Sequence, residues 1–209
     1  MGARPVAASP RELTFIYVHD ADSTMMSGSM TDLERVKKKL AGAQRVLWFR
    51  TADGKELVVR DLATLNQFEA AWKPANALGE QQGVIGANQG VIGSKQGAIG
   101  SKQGTIGAKL GTLGMEEAKV EERLAEATSV AQRDPLLARK RRIDTDRRDL
   151  EDRMRVLEDQ MRELEKPMRE LEQQMRVVAK KHEAAAKQAQ ADTEALVARA
   201  IASGTAKPF

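Results

Sequence analysis

The sequence has no cysteine and very few aromatic side chains. The missing thiols exclude disulfide bonds and thiolate metal sites. Aromatic residues make up only 3% of the chain, and all of them except Phe209 precede Pro74. Because bulky side chains build compact cores, the part after Pro74 can bury only a narrow apolar stripe. We therefore expect a small globular head followed by an elongated helical part.

Long apolar runs and a strong excess of one charge are also missing. No apolar run reaches the roughly 18 residues of a spanning helix, so no membrane span is expected. The first residues contain no apolar signal core, and export would need a segment outside this sequence. The 34 basic and 30 acidic residues are interleaved, and Asp144 and Asp146 interrupt the basic cluster at 139–148. A salt-bridged surface is favoured over the alternative, a nucleic-acid-binding arm, and no nucleic acid partner is expected.

The first 75 residues carry the signals of a small α+β head. Apolar spacing predicts strands at 13–19, 45–50 and 56–60 and helices at 33–40 and 61–73. Asp53-Gly54 is the turn of a predicted hairpin. The predicted head, residues 13–75, is an antiparallel sheet with two helices on one face. Residues 1–12 are predicted to be disordered.

The ends of the predicted elements have their own signals. Residues 20–29 form a polar loop in this prediction. Thr31 and Glu34 make a capping box at the start of the first helix, and Gly42 is suited to its end. The second helix is expected to end before Pro74, because the residue before a proline disfavours the helical conformation.

Residues 78–114 repeat with a period of seven and carry two glycines in each unit. One apolar column recurs through the repeat: Leu78, Ile85, Ile92, Ile99, Ile106 and Leu113. Seven is the coiled-coil period, but each glycine costs about 1 kcal/mol in a helix relative to alanine. Close packing against a partner would offset that cost. A helix with such packing and a regular non-helical ribbon both remain open.

Residues 134–203 are predicted to form a long coiled-coil helix that starts at Asp134-Pro135. Its seam residues alternate spacings of four and three: Leu150, Met154, Leu157, Met161, Leu164, Met168, Leu171 and Met175. Matched lengths favour an antiparallel hairpin with residues 76–133 over a parallel dimer of rods. The hairpin would place the alanine-rich 184–202 against the glycine repeats. Residues 204–209 are predicted to be a disordered tail.

Few residues suit catalysis or metal binding. The chain has only two histidines. His182 lacks the second histidine of a zinc-protease helix and is interpreted as a solvated coiled-coil residue. His19, Asp20 and Asp22 match no specific ligand set and are interpreted as an acidic turn. We therefore expect no enzymatic activity, no cofactor and no metal site.

The loop before the first helix is the candidate binding site. Ser27, Gly28, Ser29 and Thr31 place hydroxyl groups beside the free backbone N–H groups of a helix start. Such a start can hold an anion or a peptide carboxylate. The alternative is a flexible turn with a helix cap.

Several motifs of the head occur together and in order. They are Met25-Met26-Ser27-Gly28-Ser29, Leu47-Trp48-Phe49-Arg50, the segment 54–61 and the glycine heptads that follow Leu78. Over about residues 13–114 this arrangement resembles the C-terminal extracytoplasmic region of Gram-negative membrane zinc metallopeptidases of the beta-lactam-sensor, antirepressor type. The zinc helix and membrane spans of that family have no counterpart here, so no catalytic residue is carried over. The resemblance implies a detached extracytoplasmic (periplasmic) accessory or sensory region without the peptidase domain, or a soluble relative of such a region.

These observations lead to one functional hypothesis and one alternative. The chain is predicted to be a non-enzymatic regulatory or sensory interaction module, whose head binds a ligand or partner and whose coiled coil sets spacing. Its partner would be a protein, or a second copy through the coiled coil. The alternative is a structural spacer or oligomerisation scaffold. A periplasmic location within a larger protein is expected from the resemblance, and a cytoplasmic one stays open.

Overall fold

The structure is a computed structural model that describes residues 13–20, 24–40 and 45–209. It contains a small antiparallel sheet and three helices, which confirms the predicted α+β class. The helices are α1 (Met30–Lys39), α2 (Leu62–Glu126) and α3 (Val130–Ala202), and the strands are β1 (Thr14–Val18), β2 (Thr24–Ser27), β3 (Val46–Arg50), β4 (Glu56–Val59) and β5 (Lys207–Pro208). The N-terminus at 1–12 and the predicted helix end at Gly42 lie outside the described residues.

The chain divides into two compact units. Unit 1 combines Met1–Glu80 with Ala179–Phe209, and unit 2 is the intervening Gln81–Val178. Helices α2 and α3 therefore each contribute residues to both units. The predicted head, residues 13–75, covers only part of unit 1, because the end of α3 and the residues after it also belong to that unit.

Unit 1 is built on a five-stranded antiparallel sheet with the strand order β2-β1-β3-β4-β5. In its centre, Phe15 of β1 pairs with Phe49 of β3. Strands β3 and β4 are joined at the predicted turn, where Gly54 has a φ of 83°. Glycine adopts this left-handed conformation without the steric cost that other residues meet. The hairpin predicted at Asp53-Gly54 is therefore confirmed.

Helices cover both faces of this sheet. The face with Phe15 and Tyr17 packs against α2 and the end of α3. The opposite face, with Ile16 and Trp48, packs against α1. The prediction that both helices lie on one face is therefore wrong. Strands β1 and β3 are buried almost without interruption, and continuous apolar runs of this kind are typical of strands covered on both faces.

The two edge strands of the sheet are absent from the sequence-based prediction. Strand β2 lies in the predicted polar loop and pairs Met26 with Ile16. Strand β5 lies in the predicted disordered tail and pairs Lys207 with Val58. The ring of Phe209 then packs edge-on against Trp48, with 6.0 Å between the ring centroids. The two corrections have different causes. Strand β5 pairs with a strand that is distant in sequence, whereas β2 pairs with the preceding strand β1 but carries polar residues that are typical of a loop.

A part-buried hydrogen bond joins α2 to α3 inside unit 1. The indole Nε1 of Trp72 donates to the hydroxyl oxygen of Thr193 at 3.0 Å. The Thr193 hydroxyl in turn donates to the carbonyl of Ala189 at 2.7 Å. Thr193 is fully buried, and an unpaired polar group in such a place costs roughly 1–3 kcal/mol. The bond therefore helps to fix how the two helices lie together on the sheet.

Unit 2 is an antiparallel helical hairpin formed within one chain. The glycine heptads are part of α2 and are helical, so the ribbon alternative is wrong. Two residues of α2, Ile99 and Ile106, form a buried cluster with two residues of α3, Leu150 and Leu157. Met154, Met161, Leu164, Leu110 and Leu113 pack against this cluster, and Met168, Leu171 and Met175 are half-buried. The apolar seam explains why a helix with so many glycines forms.

The turn of the hairpin lies at 127–129 and not at Asp134-Pro135, as the sequence predicts. The side-chain oxygen of Gln132 accepts hydrogen bonds from the backbone N–H groups of Thr128 and Ser129 at 3.0 and 3.2 Å. The backbone N–H of Gln132 donates to the carbonyl of Ser129 at 3.2 Å. Ser129 and Gln132 thus have the spacing of a capping box, which starts α3 at Val130. Pro135 lies inside α3.

Helix α2 also continues through Pro74, where the sequence predicts an end. A proline in a helix interior costs roughly 3 kcal/mol. Leu65 and Phe68 before it and Ala75 after it are all buried. Packing on both sides of Pro74 offsets the local cost, and the helix runs on into unit 2.

Candidate functional site

The predicted binding loop, Ser27–Thr31, is organised as the start of α1. The hydroxyl oxygen of Ser29 accepts a hydrogen bond from the backbone N–H of Asp32 at 3.1 Å. The same hydroxyl donates to the Asp32 carboxylate at 3.0 Å. The predicted cap at Thr31 is therefore wrong by two residues, and Ser29 is the N-cap. Ser27 ends β2, and Thr31 is exposed in the first turn of the helix.

Gly28 has a structural role in this loop. A Cβ atom at this position would lie 2.7 Å from Cγ2 of Thr14. A real Cβ atom does not tolerate that distance, so a side chain here would force β1 or the loop to move. The structure thus brings the four candidate residues together, but Gly28 and Ser29 both serve the fold.

An ion-pair network lies beside the start of α1. The carboxylate of Asp32 accepts hydrogen bonds from Arg50 at 2.5 Å and from Arg35 at 3.3 Å. Arg35 also donates two bonds to Glu56 at 2.7 and 2.8 Å. The bond from Arg50 lowers the pKa of Asp32, and the bond from Arg35 lowers the pKa of Glu56. Asp32 is therefore ionised at neutral pH, and its charge disfavours an anion at this helix start.

A second polar cluster in unit 1 surrounds the carboxylate of Glu69 on α2. The Tyr17 hydroxyl donates to Oε1 of Glu69, and Nδ1 of His19 lies 3.0 Å from the same oxygen. Arg45 donates to Oε2 of Glu69 at 3.0 Å and to Asn66 at 2.5 Å. Burial and the hydrogen bond to Glu69 raise the pKa of Tyr17 to about 12. Tyr17 is therefore a neutral hydrogen-bond donor at neutral pH.

Two adjoining cavities border this cluster. One, of about 460 Å³, has an apolar wall from Met25 and Phe68 and is also lined by Thr24 and His19. The other, of about 510 Å³, is lined mainly by polar residues of α2, and the two share Glu69 and Asn76. These cavities can hold a small ligand with an apolar part and hydrogen-bonding groups.

Sequence reasoning missed the Glu69 site because its members come from three distant segments. His19 and Glu69 are 50 positions apart, and no local spacing links them. The interpretation of His19, Asp20 and Asp22 as one acidic turn is tested only in part, since Asp22 lies outside the described residues. Within the described ranges, no group of three or more His, Asp or Glu side chains comes together as a potential metal site.

The ten glycines of the repeat are all exposed on α2 within unit 2. They are Gly83, Gly86, Gly90, Gly93, Gly97, Gly100, Gly104, Gly107, Gly111 and Gly114. A Cβ atom at any of them would meet no other atom within 4 Å. The expected close packing of the alanine-rich 184–202 against these glycines is therefore wrong. Each exposed glycine costs about 1 kcal/mol of helix stability relative to alanine, and the packing among the described residues leaves room for a side chain at all ten positions.

Gly79, outside these ten, does have a neighbour. A Cβ atom there would lie 3.8 Å from Nε2 of His182, which is an ordinary contact distance. His182 is half-buried against α2 within unit 1 and is not the solvated residue that the sequence predicts. Its position in the chain gives no sign of this packing, because the partner lies on another helix.

An open groove of about 520 Å³ runs between α2 and α3 in unit 2. Its floor is apolar and consists of Ile106, Leu150, Val156 and Leu157. The first, second and fourth of these are buried seam residues, whereas Val156 is 55% exposed. An exposed apolar side chain beside the seam is suited to a further helix that packs along the hairpin.

Three cations border this groove, and we call the whole the lysine groove. Lys102 and Lys109 stand on the α2 side and Arg153 on the α3 side. All three are exposed, and none forms an ion pair with another described residue. The acidic residue of the groove, Asp152, is paired with Arg155 at 3.4 Å. The groove therefore presents unpaired positive charge around an apolar floor.

The basic cluster at 139–148 is tied to acidic residues of α2. Arg139 pairs with Glu116 at 3.4 Å, and Lys140 pairs with Glu121 at 2.5 Å. Arg147 pairs with Glu117 at 3.0 Å. These pairs are exposed and contribute little stability each, but they agree with the interpretation of a salt-bridged coiled-coil surface.

None of the three helices, within the described ranges, has the length and apolar content of a membrane crossing. Neither a protein-family model, nor a curated protein, nor a solved structure matches this chain. The resemblance to sensor-type metallopeptidases and the extracytoplasmic location therefore stay predictions.

Proposed function

We propose that this chain is a non-enzymatic interaction module whose helical hairpin binds a partner helix in the lysine groove. Within unit 1, the sheet and the Trp72–Thr193 hydrogen bond would hold α2 and α3 together. A regulatory or sensory role of such a module agrees with the hypothesis drawn from the sequence.

The observation that carries this proposal is the combination of apolar floor and unpaired cations in the groove. A buried apolar contact supplies affinity, whereas charges at the rim select the partner and its register. Lys102 and Lys109 are seven residues apart, which is about 10.5 Å along a helix. A partner with glutamate or aspartate at the same heptad spacing would match both lysines at once. The expected partner is therefore an amphipathic helix with an acidic flank.

The test uses a designed, fluorescent four-heptad peptide with leucine at its seam positions and glutamate beside them. We expect it to bind the full chain, and we expect the affinity to fall as added salt screens the charges. A peptide with lysine in place of glutamate serves as the control ligand and should not bind. Fluorescence anisotropy measures both.

The protein variant in this test is Lys102→Glu combined with Lys109→Glu. Like charges across an interface weaken it strongly, and we expect binding of the acidic peptide to fall on the order of a hundredfold. Lys166→Glu is the matched control, because Lys166 is exposed on α3 and does not line the groove. Equal binding by the control and the double variant would contradict the proposal.

The cavities at Glu69 favour a second candidate function, the binding of a small ligand by unit 1. The observation is that Glu69 orients Tyr17 and His19 beside an apolar wall from Phe68. A set of small aromatic alcohols and amides, screened by ligand-observed NMR, provides the probe. Binding that His19→Ala and Tyr17→Phe both abolish would support this function, and binding that survives in both would contradict it.

A further inference from the structure

The two sides of the hairpin seam carry different columns of residues. On α2, a lysine stands four residues before Ile99 and Ile106, and on α3, Arg153 stands four residues before Leu157. These positions lie on the lysine-groove side, because Lys102 and Arg153 both line that groove. Take one seam position of a helix. The residue directly after it and the residue four positions before it lie on opposite sides of the seam.

On that other side the two helices carry glycine and glutamate. The glycine that follows each seam residue of α2 recurs in every heptad: Gly86, Gly93, Gly100, Gly107 and Gly114. The glutamate that follows each seam leucine of α3 recurs in the same way: Glu151, Glu158, Glu165 and Glu172. We call this surface the glycine–glutamate flank. It lies on the side of the hairpin opposite the lysine groove, within the same unit.

Charges of the glycine–glutamate flank are available for a partner. Glu158 and Glu172 are exposed and make no ion pair with any other described residue. The arginines near Glu158 in the sequence form ion pairs with other carboxylates: Arg155 pairs with Asp152 and Arg162 with Asp159, each at 3.4 Å. Glu151 and Glu165 pair with Arg147 and Arg169, so Glu158 and Glu172 supply the free negative charge of the column beside the seam.

We propose that the helix bound in the lysine groove belongs to a second copy of this chain, which inserts its glycine–glutamate flank there. This inference rests on the proposed function and names its partner. The lysine and glutamate columns both repeat every seven residues, about 10.5 Å along a helix, so their charges match over several heptads. The exposed glycines let the backbone of one copy approach the other closely.

The contact joins two different surfaces of the chain. Groove against groove would place lysines opposite lysines, and flank against flank would place glutamates opposite glutamates, which like charges disfavour. Each copy therefore offers its flank to one neighbour and its groove to another. An interface of this heterologous kind forms rings or open arrays and not an isolated two-fold dimer.

The test is sedimentation velocity on the full chain at low and high salt, roughly 50 and 500 mM. We expect species heavier than the 22.9 kDa chain at low salt and dissociation at high salt. Lys102→Glu with Lys109→Glu makes both surfaces acidic. Glu158→Lys with Glu172→Lys replaces the two unpaired glutamates of the flank, so that the free charges of both surfaces are then basic. Each double variant alone should associate on the order of a hundredfold more weakly. An equimolar mixture of the two should associate again, because each surface then meets its opposite charge.

The mixture also controls for misfolding, since unfolded chains would not recover association. Gly100→Leu is a further variant, because its side chain has open space in the hairpin but would block a close neighbour. It should remain helical by circular dichroism and lose association. A wild-type chain that stays at 22.9 kDa at low salt would overturn the inference. So would a mixture that does not recover association.

These outcomes are distinguishable from a failure of the proposed function. A monomeric chain that still binds the acidic peptide through Lys102 and Lys109 keeps the function and loses only the second copy as partner. A chain that associates without binding the peptide, and whose association ignores the lysine variants, loses both.

Discussion

Glycines differ in role between units 1 and 2. Packing within the fold requires glycine in unit 1, whereas the repeat glycines of unit 2 lie on an exposed helix surface. In unit 1, Gly28 stands where a Cβ atom would lie 2.7 Å from Thr14. In unit 2, ten glycines stand where a Cβ atom would touch nothing. Where packing requires glycine, another atom lies so close that a Cβ atom would collide with it. A helical glycine that has no such neighbouring atom lowers helix stability and gives no folding benefit within the chain. The repeat glycines are therefore exposed on α2 with open space around them.

The two units also differ in how they bury apolar side chains. Unit 1 covers both faces of its sheet, and Trp48, Phe49 and Phe68 are fully buried. Unit 2 has one seam between two helices, and its most buried leucines, Leu150 and Leu157, are still 8–9% exposed. Because the cost of a truncated side chain depends on how enclosed it is, the two units should respond differently to the same kind of substitution.

The largest expected effect is the loss of Phe68 in unit 1. Phe68 packs against Phe15 and Tyr17, and Phe68→Ala should lower the free energy of unfolding by about 3–5 kcal/mol. Leu157→Ala in unit 2 should lower the free energy of unfolding by less, about 2–3 kcal/mol, because the site of Leu157 is less enclosed. Urea unfolding measures both, with tryptophan fluorescence for unit 1, which contains Trp48 and Trp72, and circular dichroism for the helices. A larger loss for Leu157→Ala would break the comparison.

The next effect concerns the required glycine. Gly28→Ala should destabilise the chain by about 1–3 kcal/mol, because the added methyl group collides with Cγ2 of Thr14. Thr14→Ser removes that Cγ2 atom and should rescue part of the loss in the double variant. Thermal unfolding of the four chains in this cycle gives the coupling between the two positions. Additive effects of the two substitutions would show that the collision is not the cause.

A smaller effect of opposite sign is expected for the repeat glycines. Gly100→Ala meets no atom within 4 Å and should stabilise α2 by about 1 kcal/mol. The measurement is the midpoint of thermal unfolding by circular dichroism, at protein concentrations below any association. If Gly100→Ala destabilises the chain there, the glycine is needed within the hairpin and the contrast with Gly28 fails.

The smallest effect near neutral pH is that of Tyr17. Its pKa of about 12 in the folded chain lies above the ordinary value of 10.0. The stability that depends on its neutral hydroxyl is therefore fully present below pH 10.0 and is lost as the pH rises through about 12. Tyr17 is the only tyrosine, so an absorbance titration reports it directly. Titration at the ordinary pKa, or an identical pH dependence of unfolding in Tyr17→Phe, would contradict the Glu69 contact.

Part of the fold follows from local patterns in the sequence. The apolar runs of β3 and β4 and the turn at Asp53-Gly54 identify a hairpin, because both signals act over a few residues. The spacing of four and three from Leu150 onward identifies the seam of α3 for the same reason. The capping box at Ser129 and Gln132 is an equally local signal and could have located the turn of unit 2.

The candidate sites were less accessible to sequence reasoning. The loop at Ser27–Thr31 has the composition of a binding site, but Ser29 and Asp32 satisfy each other. The Glu69 cluster brings together β1, the residue before β3, and α2, and no local pattern links them. No local sequence pattern indicates the lysine groove either, because Lys102 and Arg153 share a surface only after the hairpin has formed.

The sequence by itself determined the period of the repeat, the helical seam and the separation into an aromatic-rich and an aromatic-poor part. These features depend on the spacing of neighbouring residues, which the chain carries before it folds. Only the tertiary structure decided that helices cover both faces of the sheet, that residues 207–208 complete it, and that side chains at the repeat glycines would contact nothing on α3. Those outcomes depend on contacts between segments far apart in sequence, whose free energy no local pattern contains.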